Sequence, residues 1–171
     1  VTALCDGASN CWKVAEALKP LCGSMVCILD WFHISMKMQN VSLPDKLKSK
    51  FLRVKWHLWR GNSDKALIRL DQLQDSITSI KEINKIKKFK MYIENNKDKI
   101  VDYRRRHKNN QIFTSNLAES TVESLINQRC KGQQHMRWNR DGLEPVLQIR
   151  ASMASKGEWE SIWRTAVLNA A

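Results

Sequence analysis

Two short apolar runs, each closed by an aspartate, constrain the start of this chain more tightly than any other feature. VTALCD ends in Asp6-Gly7, and MVCILD ends in Asp30. Between them, ASNCWKVAEALKPLCG sets Trp12, Ala15 and Leu18 on one helical stripe, with Gly23 as a stop signal. Strand, helix and strand with short joints make a parallel β-α-β unit. Both strands then run the same way, so Asp6 and Asp30 reach the same C-terminal edge. Open α/β sheets keep their sites at that edge. The stretch CILDWFHISMKMQN adds His33 three residues after Asp30. Two readings of the pair stand here: a strand end carrying a functional site, or an Asp that caps the following helix beside a packed His.

From about Ser35 to Asn110 the pattern turns helical. Leu47, Phe51, Val54 and Leu58 step at helical spacing, and GNSD (Gly61 to Asp64) breaks the run, with Asn62 or Ser63 as the next cap. Ala66, Leu67, Leu70, Leu73 and Ile77 form a second stripe, and Ile83, Ile86, Phe89 and Ile93 a third. This segment also owns the charge. The chain carries a net +12, and residues 45–110 hold 19 Lys and Arg against 8 Asp and Glu. The other 105 residues hold 10 against 9. A polyanion is the natural partner of such a segment, and a solvated Lys-rich helical surface is the plainer reading.

After NNQIFTSN comes LAESTVESLINQRCKG, where Leu117, Val122, Leu125 and Ile126 define one face and Glu119 and Glu123 stand one turn apart. A further helix is expected from about Leu143 to Ala154, and GEWESIWRTAVLNAA as a last short helix or tail. A length of 171 residues suits one domain, or one domain with an insertion. No apolar run is long enough to cross a bilayer, and no secretion signal opens the chain, which reads as starting partway through a domain. Five cysteines without framework spacing suit free, mostly buried thiols in a reducing cytoplasm. A zinc site on Cys22, Cys27 and His33 lacks the tight ligand spacing of structural zinc.

Singly, these carboxylates are ordinary: Asp-Gly is a turn dipeptide, and Glu119 is a first-turn charge that suits the helix dipole. Converging from a sheet edge and a helix, they suit Mg²⁺, which takes carboxylate and phosphate oxygens together. Two such ions stabilise attacking and leaving oxygens in phosphodiester transfer.

LCDGASNCW, LDWFHISMK and AESTVESLINQRCKGQQHMRW…GLEPVLQIRA resemble the bacterial insertion-sequence transposases of the DDE class, most nearly the Kra-type family, and more distantly the Mutator-like elements. The resemblance runs from Cys5 to about Ser155. It implies an α/β, mostly helical fold: a truncated RNase H-like domain, with an all-helical insertion and a C-terminal Glu-bearing helix. The implied divisions are a partial core over 1–34, a basic helical insertion over 35–112, the Glu helix and its successor over 113–155, and a tail over 156–171. By position, Asp6 matches the family's second catalytic Asp, and Glu119 its final acid, with Glu123 as the alternative. Asp6 and Glu119 would hold Mg²⁺ or Mn²⁺. Asp30 and His33 match an Asp/Cys-x-x-His supporting element outside the triad. Arg104, Arg105 and Arg106 would contact DNA, as would Arg129, Lys131, Arg137 and Trp138 near the active centre. The implied partners are transposon-end and target DNA, with a homo-oligomer in the intact enzyme and no membrane. The implied location is the bacterial cytoplasm, at the nucleoid. No residue here matches the family's first catalytic Asp, so the expectation is a fragment inactive alone. Two rivals are a non-catalytic basic helical nucleic-acid-binding protein, a transposase remnant, and a helical scaffold for acidic proteins.

Overall fold

The first strand, β1 (Thr2–Cys5), pairs in parallel with β2 (Val26–Leu29), with Thr2 opposite Val26 and Cys5 opposite Leu29. Helix α1 (Ser9–Leu18) connects them and tightens into a 3₁₀ turn over Lys19–Leu21, with Pro20 at its start. The computed structural model describes residues 1–131, 137–155 and 161, and among these the sheet has two strands. It divides into two units, Val1–Ser115 and Asn116–Ala171.

A two-stranded sheet cannot bury its faces by itself. Five helices of the first unit supply what it lacks: α2 (Trp31–Gln39), α3 (Asp45–Trp59), α4 (Ser63–Gln74), α5 (Ile80–Asn95) and α6 (Tyr103–Lys108). One core runs from Ile28 and Leu29 through Ile34, Val54, Leu58, Leu70, Ile86 and Ile93 to Tyr103. The basic helical segment therefore shares its core with the strand pair rather than standing apart from residues 1–34. The stripes read from the sequence are the buried ones. Phe51, Val54 and Leu58 are buried on α3, Ala66, Leu70 and Leu73 on α4, and Ile86, Phe89 and Ile93 on α5.

One glycine makes a close approach between helices possible. Gly61, at φ +73°, turns α3 into α4, and a Cβ there would meet the Asp102 backbone nitrogen at 2.9 Å. Only glycine lets the hairpin turn sit against the start of α6. Trp31 packs at 4.8 Å from Trp59 and 4.9 Å from Tyr103, ring centre to ring centre. The buried Tyr103 hydroxyl donates to the Leu29 carbonyl at 2.7 Å, so α6 is fastened to the end of β2.

The second unit holds α7 (Asn116–Val122), a π-helical turn over Glu123–Asn127, α8 (Gln128–Cys130) and α9 (Arg140–Ala154). The Asn139 side chain caps α9, accepting the Gly142 N–H at 2.8 Å. Arg150 on α9 donates to the Ser124 and Leu125 carbonyls, both at 2.7 Å. A π turn stretches the hydrogen-bond pattern and leaves carbonyls open to such outside donors. The apolar face expected on α7 differs from what forms. Leu117 is 79% exposed and Val122 is exposed, and only Leu125 and Ile126 are half-buried. The expected tail over 156–171 lies outside the described residues, save Ser161. Among the described residues, no helix is long and apolar enough to cross a membrane.

Candidate functional site

Parallel pairing in register carries the chain past Cys5 and Leu29 at the same edge, so Asp6 and Asp30 follow paired residues. The Asp30 N–H donates to the Cys5 carbonyl at 2.9 Å, extending the ladder by one rung. From that shared position the two carboxyl groups diverge.

Asp30 is 2% exposed. Its Oδ1 accepts from the Phe32 N–H and the Ser115 N–H, each at 3.0 Å. Its Oδ2 meets His33 Nδ1 at 2.9 Å and accepts from the Ser115 hydroxyl at 2.5 Å. Both readings offered by the sequence hold at once: Asp30 caps α2 and also orients His33. With four protein partners its two oxygens are committed, which suits a buried carboxyl. The Trp31 N–H donates to the Phe113 carbonyl at 3.2 Å, so the segment ending at Ser115 is fastened by backbone and side chain alike.

Asp6 is half-exposed. Its Oδ1 accepts the Ala8 N–H at 2.8 Å, a turn that mimics a helix cap. That N–H, the Cys11 thiol and the charge of nearby His33 hold its carboxyl below the usual carboxylate range. The exposed Cys11 thiol is pushed up by its bond to Asp6. An ionised carboxylate has several lone-pair positions, and Asp6 keeps some open. Its backbone, in contrast, is held firmly. The Tyr92 hydroxyl donates to the Asp6 carbonyl at 2.9 Å. Gly7 takes φ +95°, and a Cβ there would lie 2.6 Å from Tyr92 Cε2. Asn96, 3% exposed, accepts from the Trp12 indole N–H and donates to the Tyr92 carbonyl, both at 2.8 Å. Burial raises the Tyr92 phenol first, and the Asp6 and Asp30 charges add to it, so the hydroxyl stays a donor.

In the second unit, Glu119 stands exposed in the first turn of α7, and Glu123 opens the π turn, accepting from the Asn127 side chain at 2.8 Å. The Arg129 guanidinium lies over the Trp138 ring at 5.4 Å. Lys131 and Arg137 are exposed. On α6 the three arginines separate. Arg104 and Arg105 are exposed beside Lys108 around a surface depression. Arg106 is turned inward, donating to the Ile112 carbonyl at 2.9 Å and to Thr2 Oγ1 at 3.4 Å. Arg106 is thus a strut between α6 and β1.

Among the described residues, no group of three or more His, Cys, Asp or Glu is placed to hold a metal ion, and this includes the Cys22, Cys27 and His33 set. Asp6 is half-exposed and Glu119 is exposed, whereas both Asp30 oxygens accept from protein donors. All five cysteines are free. Cys11 is exposed and the other four half-buried, which corrects the expectation that most are buried. Sequence reasoning missed Ser115, Tyr92, Asn96 and Arg150. Each acts over a long chain separation, and no local spacing announces them.

The model of an uncharacterised protein family, UPF0236, matches residues 5–165. No curated protein and no solved structure matches the chain.

Proposed function

This chain belongs to the uncharacterised protein family UPF0236, and from that premise we propose that it is part of a DDE-type DNA transposase with an RNase H-like core. The activity proposed for the intact protein is metal-dependent DNA strand cleavage and strand transfer of a bacterial insertion sequence, with the protein acting as a homo-oligomer. The observation that carries this reading is the shared edge of β1 and β2, where an open, ionised Asp6 stands beside a buried Asp30–His33 pair. A helix bearing Glu119 and a strongly basic helical segment lend further support.

In this reading Asp6 and Glu119 are the acids that hold Mg²⁺ or Mn²⁺, with Glu123 the alternative to Glu119. When bound, the ion supplies an activated water and neutralises charge building on the phosphate oxygens. The rest of the work falls to the chain itself. Tyr92, Asn96 and Gly7 hold the Asp6 backbone. Asp30 holds His33 and Ser115. Arg104 and Arg105 bind phosphate, as do Arg129, Lys131 and Arg137, and Trp138 lies against Arg129. In this reading the chain holds two of the three acids of a DDE transposase, and alone is expected to bind cation and DNA without cutting.

The test uses the complete gene product. Asp6→Asn and Glu119→Gln are each expected to reduce divalent-cation-dependent cleavage and strand transfer to background while leaving DNA binding in place. Full activity in both variants would sink the reading. A second reading, a non-catalytic basic nucleic-acid-binding protein, is favoured by the commitment of both Asp30 oxygens to protein donors. It expects Mn²⁺ titrated into this chain to give no heat that Asp6→Asn removes.

A further inference from the structure

Part of the charge of the helical segment is aligned along one side of α3 and α4. Along α3 and its C-terminal cap, Lys50, Arg53, His57 and Arg60 recur at intervals of three and four, which places them along one side. On the facing helix α4, Lys65 and Arg69 are one turn apart. Lys50, Arg53 and Arg69, with Gln72 and Ser76, line a groove of about 200 Å³ between the two helices. Lys50, Arg53, Arg60, Lys65 and Arg69 are all exposed.

The acids within α3 and α4 each pair with a lysine. Asp71 pairs with Lys90 on α5 at 2.6 Å, and Asp64 pairs with Lys97 at 2.5 Å. Asp45, the one acid of α3, pairs with Lys48 at 2.7 Å. The lysines of α5 and its following turn thereby take up the carboxylates of α4, and the α3–α4 side keeps its excess. His57 registers the result: partial burial, then the charges of Arg69, Lys65 and Arg60, hold its imidazole below its ordinary value.

We infer that the α3–α4 side is a track for the phosphate backbone of duplex DNA, with Lys50, Arg53, His57, Arg60, Lys65 and Arg69 as its contacts. The inference rests on the transposase reading, and gives the DNA of that reading a definite place on the first unit. Length agrees with the assignment. From Lys50 to Arg60, at 1.5 Å rise per residue, the stripe runs about 15 Å. One strand of B-DNA presents a charge every ~3.4 Å of axis, so the stripe matches roughly four phosphates. Contacts to phosphate fix position on the duplex without reading its sequence, so a backbone track predicts affinity without sequence preference.

The experiment measures binding of this chain to a mixed-sequence duplex across a salt series. The double variant Arg53→Gln/Arg69→Gln is compared with Lys13→Gln/Lys19→Gln, which removes the same charge from the region of α1. The slope of log affinity against log salt is expected to fall by about 2 for the first variant, roughly one per lost phosphate contact, and to stay within the small change due to net charge for the second. Matched thermal unfolding of the variants excludes misfolding as the cause. As a second readout, duplex binding is expected to raise the His57 titration midpoint, followed by NMR, as phosphates offset Arg60, Lys65 and Arg69. Equal losses in both variants, or no loss in the first, overturn the inference while the DNA reading stands. A wild-type chain that ignores duplex, or binds acidic peptide as tightly, overturns both.

Discussion

Each strand of the sheet is followed by an aspartate at the same register, and the two aspartates have opposite fates. Asp30 is enclosed, with each oxygen taking two protein donors. Asp6 faces solvent with one backbone donor on its carboxylate, while its main chain is gripped by Tyr92 and the Gly7 turn. At the end of β2 the side chain is structural and the backbone follows. At the end of β1 the backbone is structural and the side chain is left available. Register alone therefore assigns a place to a carboxylate but not a task, and what packs over the strand end decides the task.

The sharpest way to break this contrast is Asp30→Ala. The substitution strands the Phe32 and Ser115 N–H donors in a buried setting and removes the α2 cap. The expected cost is about 3–4 kcal/mol of stability, read from urea unfolding of this chain. A loss under about 1 kcal/mol would mean that water replaces the carboxyl easily and that Asp30 is no more structural than Asp6.

Gly7→Ala probes the other strand end through its backbone. It asks an L-residue to hold φ +95° with its Cβ 2.6 Å from the Tyr92 ring. About 2 kcal/mol of destabilisation is expected in the same assay. Tyr92→Phe keeps the ring and removes the bond to the Asp6 carbonyl, at an expected cost of about 1 kcal/mol. If Tyr92→Phe proved silent in stability and in cation binding alike, the grip on the Asp6 backbone would not be what presents its carboxylate.

Much of this arrangement was legible in the sequence, and the illegible part has a common cause. The β-α-β unit showed itself because its joints are short and each strand ends in a polar residue. The stripes of α3, α4 and α5 showed themselves through local periodicity. The partners of Asp30 and Asp6 did not: Ser115 meets Asp30 across 85 positions, and Tyr92 meets Asp6 across 86. Both lie in or beyond a helical segment that reads as an insertion, and only packing reveals that it shares the core of the strands. The apolar residues of α7 misled in the opposite direction. Leu117 and Val122 fit a helical stripe but lie exposed, and the π turn that follows breaks the period on which the stripe depended. Arg150, which steadies that turn, stands out only once its two carbonyl acceptors are seen.

Asp6→Asn should have the smallest effect on the fold, and it is the most discriminating test because pH separates its two roles. The Ala8 N–H, Cys11 and His33 lower the folded-state titration of Asp6 below that of the unfolded chain. A carboxyl so shifted contributes stability that is fully present above its unfolded value and is lost as pH falls through its folded value. Asp6→Asn, whose amide oxygen can still accept the Ala8 N–H, should change stability near neutrality by less than about 0.5 kcal/mol. In an acid titration of the urea midpoint, the variant should lack part of the decline that the natural chain shows. Cation binding, by contrast, needs the negative oxygen itself, and Mn²⁺ affinity should fall with the substitution at every pH where Asp6 is ionised. If stability and Mn²⁺ affinity fell together, Asp6 would be a second Asp30, and the contrast between the two strand ends would be lost. If only Mn²⁺ affinity falls, the end of β1 is built to present a carboxylate that the fold itself does not need.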